Sequence, residues 1–157
     1  MDISFRPLLS ADQSFLWEMC YHAVHVPASQ PPYPREIVHM PEISRYVQDW
    51  GKSSDLGFIA QDEEKPIGAV WARLLIGGNK GYGYVDESTP ELSMALLPEY
   101  RGRGIGSQLL ARLLKAAVSP ICLSVSLDNP AQRLYQRMGF EIVSENESAV
   151  TMLKRFH

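Results

Sequence analysis

Residues 96–107, Leu96-Leu97-Pro98-Glu99-Tyr100-Arg101-Gly102-Arg103-Gly104-Ile105-Gly106-Ser107, join an apolar run to a helical one through three alternating glycines. Glycines at such a junction let the backbone turn sharply and approach a ligand closely. The first-turn N–H groups of the following helix then face outward, where the helix dipole favours negative charge. Arg101 and Arg103 add cationic side chains. This chemistry suits a phosphate or diphosphate.

Three motifs compete for the stretch. A P-loop requires a Lys-Ser or Lys-Thr pair after its glycines, and none follows here. A dinucleotide fingerprint requires G-x-G-x-x-G, but Ser107 stands where the third glycine belongs and Pro98 sits close to the turn. The pattern R-x-x-G-x-G is matched in full by Arg101, Gly104 and Gly106. Between Arg101 and Arg137 six bases accompany a single acid, Asp128, in a chain of net charge −3. About a quarter of the protein is thus suited to an anion while the remainder is acidic. That balance argues against a general nucleic-acid binder. His22 and His25, three apart, lack a third ligand nearby, so no metal is expected. Cys20 and Cys122 lack CxxC spacing and read as buried thiols.

The elements that must position these residues follow from periodicity. Ile3–Leu9 alternates as a strand, and Ser10 is placed to cap a helix over about 11–24. Pro27 to Pro34 reads as an extended loop, and Pro41 opens a second helix running to about Trp50. Leu56–Gln61 and Ile67–Ile76 form a hairpin, followed by the glycine-rich loop Gly77–Tyr84 and a strand from Glu91 to Leu97. Ile105–Val118 carries apolar residues at helical spacing, and Ile121–Leu127 is the next strand. Asn129 caps a helix that begins at Pro130 and stops at Gly139, and the strands Phe140–Ser144 and Val150–Phe156 close the chain. The strand–helix–strand unit over 91–127 is a right-handed parallel crossover, and its neighbours are hairpins. The result is an α/β fold with a mixed, mostly antiparallel sheet of six or seven strands and helices on both faces. The 157 residues suit one domain. No apolar run approaches the ~20 residues of a membrane helix, and Met1–Pro7 has no apolar signal region, so a cytoplasmic protein is expected.

Residues 96–106 resemble the acetyl-CoA motif of the GNAT superfamily of N-acetyltransferases. Asn129-Pro130-Ala131-Gln132-Arg133-Leu134-Tyr135-Gln136-Arg137-Met138-Gly139-Phe140 is similar to that family's N-x-x-A-x-x-x-Y-x-x-x-G-F segment, with Ala131 shifted one place. The resemblance covers about 56–157 and the first strand, while 11–55 matches only in its order of helices. It implies direct transfer of acetyl from acetyl-CoA to a primary amine of a small molecule or protein. It makes 91–141 the acetyl-CoA core and gives 11–55, with loop 77–90, the walls of the acceptor site. The CoA diphosphate would rest on backbone N–H groups of Arg101, Gly102, Arg103, Gly104, Ile105, Gly106 and Ser107. Ala95, Leu96 and Leu97 would lie on a strand that bulges and splays, receiving the pantetheine arm as an added strand. Asn129 would contact that arm as well as cap its helix.

Tyr135 is the candidate acid and cofactor contact, because a phenol near the sulfur can protonate the leaving thiolate. Its other role is core packing, since Leu134 and Met138 flank it. Glu91 is the candidate base, accepting the amine proton through water, and Ser93 shares its face. Arg133 and Arg137 would reach adenosine phosphates or simply face solvent. Two rival readings remain: a non-catalytic acyl-CoA-binding or sensing domain of the same fold, and a dinucleotide oxidoreductase with Asp128 on the ribose. The acceptor is unnamed by the sequence, and a homodimer suits so small an enzyme.

Overall fold

The pattern of alternating and helical periodicities is realised in the computed structural model, which describes residues 1–156. Its strands are β1 (Ile3–Pro7), β2 (Leu56–Asp62), β3 (Lys65–Arg73), β4 (Glu91–Leu96), β5 (Ile121–Ser126), β6 (Glu141–Glu145) and β7 (Ala149–Lys154). Its helices are α1 (Gln13–Ala23), α2 (Pro41–Ser44), α3 (Ile105–Ala116) and α4 (Ala131–Arg137), with short 3-10 turns between elements. The strands form a seven-stranded sheet in the order β1-β2-β3-β4-β5-β7-β6. Every neighbouring pair is antiparallel except β4 with β5, the parallel pair expected of the crossover through α3. No described helix is long and apolar enough to cross a membrane.

The pleat of β4 assigns its residues to two faces. On one face Leu92 packs with Ala60, Ile67 and Val70 under Ile105, Leu109, Leu110 and Leu113 of α3. Those α3 residues recur at intervals of one, three and four, which makes one apolar stripe. On the other face Ala95 joins Ile59, Ala69 and Trp71 beneath Leu16, Met19 and Cys20 of α1.

The N-terminal third departs from expectation in two places. Ser10 does not cap α1. Asp12 stands at the N-cap position but gives α1 no side-chain hydrogen bond; its carboxylate turns back to accept the Leu9 N–H at 2.8 Å and both Arg6 nitrogens at 2.7 and 2.8 Å. The second helix ends at Ser44, not near Trp50, and 45–49 is a succession of turns. Asp49 sits at φ +56°, outside the helical region. The carbonyls that a helix would consume turn instead to Arg73 of β3, which donates to Arg45 O (3.2 Å), Gln48 O (2.6 Å) and Asp49 O (3.3 Å). The Trp71 indole N–H donates to Tyr46 O at 3.0 Å.

Arg73 also pairs with Asp55 at 2.8 Å, with both side chains 3% exposed. Removing one partner of such a pair strands the other charge in a poorly solvated site. Arg73→Met is expected to destabilise the protein by about 3 kcal/mol, lowering the melting temperature by roughly 10 °C. Thermal unfolding followed by circular dichroism checks this; a shift under about 2 °C would mean that the turns of 45–49 are held by something else.

Candidate active site

Only one residue pair joins β4 to β5, Glu91 with Cys122, next to a Cys122 N–H bond to Pro90 O of 3.0 Å. Beyond it the strands part, although β4 stays in register with β3 from Glu91–Arg73 to Leu96–Gly68. The expected splay is therefore present, but the expected bulge at Ala95–Leu97 is not. The divergence falls between β4 and β5 and needs no inserted residue. Ala95 and Leu96 stay paired with Ala69 and Gly68 of β3, and the Leu97 N–H turns back to Ile67 O at 2.8 Å.

The loop after β4 closes a 3-10 turn over Pro98–Tyr100, which uses the Arg101 N–H on Pro98 O at 3.2 Å. The next six amides, Gly102 through Ser107, bond none of the described residues. Gly102 and Gly104 have φ of +75° and +78°, conformations that favour glycine, and nothing within 4 Å would meet a Cβ at either. Gly106 is helical and buried against Met94 and Leu134. Arg101 and Arg103 are exposed beside the open amides. Free amides, helix dipole and two guanidiniums converge there on space able to take a multiply charged anion.

Asn129 caps as expected, its side-chain oxygen accepting the Ala131 N–H at 2.9 Å; the regular helix starts one residue later than Pro130. Gly139 follows α4 at φ +97°. Tyr135 is buried on the α3 side of the sheet, its ring 5.8 Å from that of Phe140 in an edge-to-face contact. Burial pushes its phenol up to about 12, so it holds its proton at neutral pH. Arg133 and Arg137 face solvent.

Glu91 is 3% exposed. Its Oε2 accepts the Tyr46 hydroxyl and, at 3.1 Å, the Gly83 N–H, while the buried Oε1 has no hydrogen-bond partner among the described residues. The Tyr46 oxygen in turn accepts the Tyr82 N–H at 2.8 Å. Burial raises the Glu91 carboxyl above the ordinary glutamate value, against the pull of Tyr46, the Gly83 N–H and the Arg45 charge. Ser93, on the same face of β4, is half-buried. The two candidate proton carriers thus lie on opposite faces of the sheet.

The segment Gly81–Gly83 straps this carboxylate. A Cβ on Gly81 would lie 2.3 Å from Glu91 Oε1, and one on Gly83 would lie 2.6–2.9 Å from the Leu123–Ser124 backbone of β5. Tyr46 escapes a reading of the sequence because it stands 45 positions from Glu91 in a stretch whose periodicity suggests helix; its one signal is being aromatic within the acceptor-wall segment. His25 and Asp128 form another unforeseen contact, 3.1 Å apart, linking the end of α1 to the β5–α4 junction. His22 lies instead 3.0 Å from Glu18. Burial pushes the Cys122 thiol up to about 12, which suits the inert role expected of it.

A parallel crossover that diverges after one pair, with unpaired amides at the mouth of the gap, fits a phosphate-bearing ligand lying between the strands rather than a dinucleotide on a closed parallel sheet. The Acetyltransferase (GNAT) family model matches residues 17–140, and the chain belongs to that family. The coenzyme A complex of PaiA N-acetyltransferase from Thermoplasma acidophilum superimposes with a TM-score of 0.68 at 19% identity, covering 99% of this chain and 100% of that one. Ribosomal-protein-alanine N-acetyltransferase from Brucella melitensis gives 0.68 at 20% identity, covering 98% and 99%. Mycothiol acetyltransferase of Corynebacterium aurimucosum is 36% identical over 38% of this chain and 23% of its own length, so the chain spans under a quarter of that curated relative.

A raised carboxyl gives a definite pH dependence. The folded chain binds the Glu91 proton more tightly than the unfolded chain does, so protonated Glu91 favours the fold, and that advantage is lost as pH rises from the ordinary glutamate value through the folded one. Glu91→Gln keeps an acceptor for Tyr46 and Gly83 but does not ionise. Within that window the wild type is expected to lose stability relative to Glu91→Gln by at most about 1.4 kcal/mol per pH unit. Parallel melting curves across pH test this, and a constant gap between the two proteins would contradict it.

Proposed function

We propose that this chain transfers the acetyl group of acetyl-CoA directly to a primary amine. The observation that carries the reading is the run of six unpaired amides, Gly102–Ser107, at the positive end of α3 and the mouth of the β4–β5 gap. These amides, with Arg101 and Arg103, would hold the CoA diphosphate; the Arg101 amide is engaged in its own turn. The pantetheine arm would run along β4 at Ala95–Leu97, its amides replacing the missing strand partners, with Asn129 beside it. The thioester would then reach the gap near Ser93. Glu91 would take the proton of the attacking amine, and Tyr135 would protonate the departing thiolate.

The acidic balance outside 101–137 favours a cationic acceptor, such as a polyamine, an aminoglycoside or a peptide amino terminus. Residues 11–55 and loop 77–90 would wall its pocket. A cytoplasmic location and a homodimer belong to the same reading.

Gly104→Val places a β-branched residue at φ +78° in the approach of the diphosphate. Calorimetric affinity for CoA is expected to fall at least tenfold, while an unchanged affinity would remove the diphosphate from this loop. Tyr135→Phe keeps the packing against Phe140 and removes the proton donor. With an acceptor found by screening the amines named above, turnover is expected to drop about 100-fold, read as thiol release. Wild-type turnover in the Phe variant would eliminate Tyr135 as the acid.

A further inference from the structure

Gly81 covers Glu91 Oε1, the oxygen that a proton from an incoming amine must reach, so the strap Gly81–Gly83 has to lift for the proposed reaction to proceed. Lifting it removes the Gly83 N–H from Oε2 and the Tyr82 N–H from the Tyr46 oxygen. One donor then remains on the carboxylate: the Tyr46 hydroxyl, borne on turns that Arg73 and Trp71 fix to β3 independently of the strap. Beyond these bonds, the only buried residue of the strap is Gly83, against the Leu123–Ser124 backbone of β5. Residues 76–80 and Tyr82 are exposed, and Arg45, next to Tyr46, grips the Lys80 carbonyl. Segments with few buried contacts open at low free-energy cost.

We propose that Tyr46 is a positioning residue for the amine acceptor. It anchors Glu91 by Oε2 while the glycine strap opens, leaving Oε1 aimed at the acceptor. This rests on Glu91 being the base, and it adds a residue and a moving part that act through Glu91 and touch neither acetyl-CoA nor the reacting atoms. The protons balance: the ammonium gives one proton to Glu91; the neutral nitrogen attacks the thioester carbon, and the C–S bond breaks as Tyr135 protonates the sulfur. The second proton leaving the new amide nitrogen restores the Tyr135 phenol through water, and Glu91 releases its proton to solvent.

The experiment uses Tyr46→Phe, which preserves the ring, beside Glu91→Gln. The Glu91 carboxyl carbon is followed by NMR across pH in wild type and Tyr46→Phe, with no acceptor present. Loss of a hydrogen bond to the carboxylate is expected to move its titration to higher pH by about one unit. In turnover with the screened amine, Tyr46→Phe is expected to lower kcat about tenfold, leave KM for acetyl-CoA unchanged and move the acidic limb of the pH profile the same way. Identical NMR titrations in the two proteins overturn the role of Tyr46 whatever the acceptor. If Glu91→Gln retains both the acidic limb and wild-type turnover, the base assignment fails and takes this proposal with it. If Glu91→Gln abolishes the limb but Tyr46→Phe leaves it in place, Glu91 stands as base and Tyr46 alone is refuted.

Discussion

The structure turns on the separation of β4 and β5 after a single shared residue pair. In the middle of a seven-stranded sheet, backbone groups are normally paired, and leaving buried ones unpaired costs about 1–3 kcal/mol each. Here the inner edge of β4 past Glu91 lacks that pairing. The two halves of the sheet are joined instead through α3, whose apolar stripe packs on β2, β3 and β4 while its chain feeds directly into β5. Because α3 bridges the halves, its first turn must lie at the mouth of the gap. The open amides are therefore a consequence of the topology, and the glycines at positive φ are what lets the chain get from β4 to that position in so few residues.

Glu91 occupies the vertex of the gap, and its environment shows what the arrangement costs. A buried carboxylate with one free oxygen opposes stability near neutral pH, the opposite of what folding alone would select. The protein limits the penalty with two donors on Oε2 and leaves Oε1 bare. Departures of this kind from local consistency are where function is expected to reside. The buried Arg73–Asp55 pair serves the same end at one remove. It ties the turns of 45–49 to β3, beyond their own backbone bonds to Pro41, Ile43 and Ser44, and those turns carry Tyr46.

The order of elements and the glycine junction were legible because each depends on residues close in sequence. Alternation in Ile3–Pro7, the stripe of α3, Asn129 at its cap and Gly139 at positive φ all report local geometry. Pro41 was legible as a helix start, but the stretch 45–50 was not, because nothing nearby reveals that the carbonyls of Arg45, Gln48 and Asp49 are captured by an arginine more than twenty residues later. Ser10 falls in a 3-10 turn whose Asp12 is held by Arg6, again a partner outside the local pattern. The strap was legible as a glycine-rich loop, but why Gly81 and Gly83 must lack side chains is set by Glu91 and by the backbone of β5. Sequence periodicity carries no information about such contacts.

Glu91 and Tyr135 end on opposite faces of the sheet, and this follows from the same gap. In an unbroken sheet a group on the α1 side and one on the α3 side could not serve a single reaction. Where β4 and β5 part, a thioester lying in the plane of the sheet is open to both faces at once. The amine would arrive from the side of α1, α2 and the strap, where Glu91 faces, and the sulfur would depart toward the apolar cluster that keeps the Tyr135 phenol protonated. In the proposed reaction, proton removal and proton delivery would then be separated by the sheet itself. The burial that raises both groups would make the glutamate a stronger base there, and it makes the phenol a weaker acid than a free tyrosine.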